Sequence, residues 1–181
     1  MFTPDASTQP RFSLGQVLDT WLGSIVLLPF CLWFATHRGE HSLIDNADLI
    51  IHEAGHFFAL PFGTFVMFAG GTLMQIALPW LLVWHFRRND YALGTQISLV
   101  WLGQNLINIS VYAADAQARV LPLLGGDAAK HDWWNMLSRL GLLEWDQTIG
   151  WAFFALALLM FWRALWLPRF VHVETDWVRM V

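Results

Sequence analysis

Long apolar runs alternate with short polar ones along this chain, and their lengths predict helices that cross a membrane. A helix needs roughly 20 apolar residues to span about 30 Å of hydrocarbon. Runs of that kind lie at about 17–36, 49–86, 91–114 and 148–166. The first carries Asp19 near its start and Pro29 in its second half, where proline predicts a kink rather than a stop. The second is roughly 38 residues long with Glu53 as its one formally charged member, which is too long for one crossing and about right for two. Gly70 and Gly71 in "AGG" offer the backbone freedom for a reversal, so Leu49–Ala69 and Thr72–Phe86 are expected to form a hairpin whose second member is short enough to be re-entrant. The expected architecture is all-α: a polytopic membrane protein of about five hydrophobic helices forming one domain. A polar insert, residues 115–147, precedes the last helix and holds a short amphipathic helix over 132–143.

Composition sharpens this picture. The chain is 56% hydrophobic and only 13% charged, with twelve tryptophans, too apolar for an ordinary soluble domain of this size. Indoles are favoured where hydrocarbon meets headgroups. The lipid bilayer is therefore the first expected partner, with a multi-pass placement in a bacterial inner membrane or its equivalent. A net charge of −4 with no polybasic run leaves no electrostatic footprint for nucleic acid. Cys31, the single cysteine, can form no intramolecular disulfide. If all five spans cross, Arg38, Arg87, Arg88, Arg163, Arg169 and Arg179 share one side, which would be cytoplasmic, and Arg11, Arg119, Lys130 and Arg139 the other.

Against that apolar background "LIIHEAGHFFALPF", residues 49–62, is costly. In a helix His52 and His56 lie one turn apart on one face, with Glu53 about 100 degrees around. This is the H-E-x-x-H arrangement of zinc hydrolases, in which the two histidines hold the metal and the glutamate takes a proton from water. An ionisable residue at the centre of a span costs roughly 2.5–3.5 kcal/mol. Three together need a compensating partner, and a divalent cation, Zn2+, is the simplest.

A catalytic zinc site uses three protein ligands, so one more must come from elsewhere. His85 and His172 read as interfacial residues, and His37 and His41 in "THRGEH" as loop residues. Gln104 or Asn105, Asn108, Tyr112 and Asp115 follow three- and four-residue steps and form one polar stripe. Such a stripe faces a site or bonds a neighbouring helix; Asn108 and Asp115 favour the site, while Gln104 and Asn105 fit either use. In the insert, "GGDAAKHDWW" offers His131 as a ligand, with Asp132 as a further candidate or as the partner that orients His131.

"HEAGH", the following "AGGTLMQIALP" and the later "NLINISVYAADA" together resemble the site-2-protease class of intramembrane zinc metallopeptidases, over roughly Leu49 to Asp132. The resemblance implies His52 and His56 as zinc ligands and Glu53 as the catalytic residue. It also implies Asn108 and Asp115 in place of the asparagine and aspartate of that class's later motif. The substrate would be a membrane-embedded or membrane-proximal peptide segment. The later motif departs from the usual pattern of asparagine, prolines and an aspartate followed by glycine: this chain has "NISVYAADA" and then, displaced, "LPLLGGD". The third ligand thus stays open among Asp115, Asp127 and His131. Two rival readings remain, a di-iron membrane oxygenase or desaturase and a non-catalytic metal- or peptide-binding membrane protein.

Overall fold

A computed structural model describes residues 14–89, 91–122 and 131–169. The chain is all-α, with no strand among the described residues. Helix α1 spans Leu14–Thr36, α2 Leu43–Ala59, α3 Thr64–Arg88, α4 Ala92–Ala114, α5 Asp132–Leu140 and α6 Asp146–Trp166. Three helical stretches, Thr64–Arg88, Ala92–Ala114 and Leu143–Trp166, are long and apolar enough to cross a membrane, and Trp21–Thr36 forms a shorter apolar one. Pro29 is accommodated within α1.

The second apolar run does divide into two helices, but not at Gly70 and Gly71. The chain reverses at Leu60–Gly63, where a single 3-10 turn with Pro61 near its start ends at Gly63, whose φ is +96°. Only glycine adopts that conformation freely. Consequently α3 is one continuous helix of 25 residues rather than a short re-entrant segment. Gly70 and Gly71 lie inside it and serve close approach instead. A side chain on Gly55 would overlap the Gly70 carbonyl, and one on Gly71 would meet the His52 ring at 2.5 Å. The glycines let α2 and α3 pack backbone to backbone, in the way small residues do between membrane helices.

The polarity of the fold runs opposite to that of a soluble protein. Asp48, Gln104, Asn105 and Ser110 are almost completely buried, whereas Ile50, Phe57, Trp80, Leu81, Trp84 and Trp151 are exposed. In hydrocarbon an apolar surface is at no disadvantage and every polar group needs an internal partner. Helix α4 is the central element, two-thirds buried over its apolar window at 67%, and it packs against α1, α3 and α6. Gly103 and Gly150 bring α4 and α6 close.

Helix α2 reaches α4 mainly through side chains. The Asp45 carboxylate accepts hydrogen bonds from Gln104 and from Asn108 at 2.9 Å, and it also takes the Ser42 N–H at the helix start. Asp48 accepts from the Trp101 indole at 2.8 Å, from Asn105 at 3.1 Å and from Asn108 at 3.4 Å. A hydrogen bond to a charged group contributes about 1.5–3 kcal/mol, so a few of them offset a buried carboxylate. This resolves the polar stripe on α4: Gln104, Asn105 and Asn108 all spend their amide N–H groups on α2.

The next described helix, α5, ends at Leu140, three residues short of the expected 143, and is capped by Gly141 in the left-handed conformation, φ +68°. Its inner face, Trp133, Met136 and Leu137, packs on Ile109 and Ala113 of α4.

Replacing Gly55 with leucine should force α2 off α3 at a cost of roughly 1–3 kcal/mol or more, seen as a lower thermal unfolding midpoint in detergent. An unchanged midpoint would show that the two backbones are not in contact.

Candidate metal centre

Four α2 residues on one helical face, Asp45, Asp48, His52 and His56, point inward. His52 is held on both ring nitrogens. Its Nδ1 donates to the Gln75 side-chain oxygen of α3 at 2.9 Å, and its Nε2 lies 2.9 Å from Asp132 Oδ2. His56 repeats the pattern one turn on: Nδ1 donates to the Met67 backbone oxygen at 2.7 Å, and Nε2 lies 3.2 Å from the same Asp132 oxygen. A backbone carbonyl only accepts, so the His56 tautomer is set, and in the neutral ring the lone pair at Nε2 faces the carboxylate.

Three ligand atoms from α2 and α5 thus converge on one point. With both rings neutral their lone pairs repel one another unless a cation sits among them; without one, a proton on either Nε2 donates to Asp132. His52, His56 and Asp132 form a group that can hold a metal ion, with one ligand atom from each and all three within 4.8 Å of one another. Zinc bonds of about 2.0–2.1 Å place tetrahedral ligand atoms roughly 3.3–3.4 Å apart, close to the observed 2.9 and 3.2 Å. Both histidines also give their outer N–H to an oxygen, the support usual for metal-bound imidazole. Burial works against the Asp132 carboxylate, but the two imidazoles beside it outweigh that and hold its pKa below the usual carboxylate range. The ligand stays anionic.

Asp115 and His131 are engaged with each other. Asp115 closes the turn after α4 by accepting the Val120 and Leu121 N–H groups at 3.0 Å each, and its Oδ2 lies 3.3 Å from His131 Nε2. His131, fully buried, accepts the Trp134 N–H on Nδ1 at 3.2 Å and caps the start of α5. Burial lowers its pKa, consistent with a neutral ring whose Nε2–H donates to Asp115. The carboxylate at the histidines is that of Asp132, next in the chain. At the start of α5, His131 turns back to cap the helix and Asp132 projects from its first turn toward α2. Asn108 borders the same cavity but directs its amide N–H to Asp45 and Asp48. Asp127 and His172 lie outside the described residues. His37 stacks on Trp33, and His41 sits on the rim of the cavity, its side chain 68% exposed.

The triad opens into a cavity of about 870 Å³ between α2, α3 and α4. Glu53 lines it, exposed and without a hydrogen-bond partner among the described residues. Among the described residues the wall carries five carboxylates, Glu40, Asp45, Asp48, Glu53 and Asp132, and no lysine or arginine, a field that attracts a cation. Leu49, Met67, Phe68 and Ile109 supply apolar surface. Comparison with protein-family models, with curated proteins and with solved structures gave no match. The chemistry therefore has to be argued from this geometry.

Elemental analysis of the purified chain should find about one metal per chain, with occupancy well below one, though not abolished, in His56→Ala and in Asp132→Ala. Gln75→Leu should keep the three ligands yet weaken metal affinity by roughly 10–100-fold. Undiminished metal in Asp132→Ala would place the ion elsewhere.

Proposed function

We propose that this chain is a multi-pass intramembrane zinc metallopeptidase that hydrolyses peptide bonds in membrane-embedded or membrane-proximal segments. The observation that carries this reading is the placement of Glu53 on the cavity wall one residue from His52, unpaired, beside a group that can hold a metal. His52, His56 and Asp132 would hold the ion, a two-histidine, one-carboxylate set of the kind found in zinc hydrolases. When bound, zinc supplies Lewis acidity that brings the pKa of water to about 7.

The other roles fall to the chain's own groups. Glu53 takes the proton from the attacking water and hands it to the departing amine, so one carboxyl serves as base and then as acid. Its exposure to the cavity gives it access to both. The apolar wall of Leu49, Met67 and Phe68 takes the side chains of an unwound peptide and excludes bulk water, which strengthens the electrostatics at the scissile bond.

The same donor set also suits mononuclear Fe(II) of the oxygenase type. The metal group favours a single ion over a di-iron centre, because no second group of three ligands occurs among the described residues. Glu53 favours hydrolysis.

The test uses proteoliposomes of the full chain with a library of single-span peptides, analysed by mass spectrometry. Zinc-loaded wild type should cleave library members. Glu53→Gln should keep its zinc and lose at least about 100-fold in rate, the usual scale of general acid–base assistance. Full-rate cleavage by Glu53→Gln would refute the general-base role, and stoichiometric iron with oxygen-dependent turnover would favour the oxygenase.

A further inference from the structure

Asp132 is the one member of the metal group not carried by the α2 helix. It begins a nine-residue helix too short to be stable alone in water, so contacts with the bundle must set its position. Three sets of contacts do so. Trp133, Met136 and Leu137 dock the inner face of α5 on α4 and α3. His131, tied to Asp115, caps its first turn. Both of these locate the helix as a body, and neither touches the carboxylate that faces the histidines.

The third contact does. The Tyr112 hydroxyl accepts the Asp132 backbone N–H at 3.0 Å and donates to Asp132 Oδ2 at 3.3 Å. One oxygen thereby holds the main chain and the side chain of the same residue, which restricts rotation about the Asp132 Cα–Cβ bond. It also satisfies one of the first-turn N–H groups that a helix leaves without an internal partner. The Tyr112 ring packs independently of its hydroxyl, with ring centroids 4.4 Å from His131 and 6.0 Å from His52.

We propose that Tyr112 is a positioning residue of the metal site: its hydroxyl orients the Asp132 carboxylate toward His52 and His56, and metal affinity depends on that hydroxyl. This rests on the metal reading above but not on any peptidase activity. Because the ring keeps its packing, Tyr112→Phe removes the orienting bonds and little else. Groups that orient a metal ligand from behind typically account for 10–100-fold in affinity.

The experiment measures Zn2+ affinity of the detergent-purified full chain by competition with a chromophoric chelator. Wild type, Tyr112→Phe, Asp132→Ala and the double variant are compared, alongside the thermal unfolding midpoint of each metal-free chain. Tyr112→Phe should bind zinc about 10–100-fold more weakly, with its metal-free midpoint lowered only slightly by the Asp132 N–H left without its partner. In the Asp132→Ala background the same substitution should add no further loss, the mark of two residues acting as one unit. Affinity within about twofold of wild type, or an equal loss with and without Asp132, overturns the proposal. A Tyr112→Phe chain that fails to fold without metal also overturns it, because the hydroxyl would then serve the fold. No zinc on the wild type overturns this inference and the proposed function together, whereas zinc on the wild type without peptide cleavage leaves this inference standing and sinks only the latter.

Discussion

Two imidazoles and a carboxylate converging on one point inside an apolar bundle are the constraint on which the rest of this structure depends. The Nε2 atoms of His52 and His56 sit 2.9 and 3.2 Å from one carboxylate oxygen, and the outer Nδ1 of each ring is already committed as a donor. Such an arrangement is unfavourable unless positive charge lies within it. A buried carboxylate or imidazole stripped of its partner costs several kcal/mol, a sizeable part of the 5–15 kcal/mol that holds a domain folded. A proton shared between one imidazole and the carboxylate meets part of that need, and a metal ion could meet all three groups at once.

Much of the remaining architecture follows from bringing those groups together in a lipid-facing fold. Small residues bring α2 onto α3, with no side chain at Gly71, so that the His52 ring can occupy that space. Amides on α4 hold the α2 carboxylates one and two turns before the histidines, which keeps the polar face of α2 turned inward while Ile50 and Phe57 face outward. With α2 joined to α4 through side chains rather than by close backbone packing, space for a cavity remains between them. Helix α5 adds Asp132 to the wall of that cavity.

How much of this was legible depends on the residue. "HEAGH" at helical spacing pointed to His52, His56 and Glu53 because the i, i+4 geometry is local. The apolar run lengths indicated the helices for the same reason. The reversal was misplaced because glycine has two uses, freedom of φ and the absence of a side chain, and the sequence does not separate them at Gly70 and Gly71. "LPFG", with proline followed by glycine, was the turn signal actually used. Asp45 and Asp48 lay before the apolar run and so outside the expected span, although their spacing to His52 places all three on one face. Asp132 was one candidate ligand beside His131, and the sequence did not choose between them, since which of two adjacent residues faces the histidines is decided by where α5 starts. Gln75 carried no signal, because its role depends on the packing of α3 against α2.

The most direct test of the central claim is X-ray absorption spectroscopy at the metal edge of the purified, membrane-extracted chain. The expected spectrum shows one ion with two imidazoles in its coordination shell and oxygen making up the remainder, and it loses one imidazole in His56→Ala. A spectrum without imidazole scattering, or one that His56→Ala leaves unaltered, would mean that the converging lone pairs hold no metal.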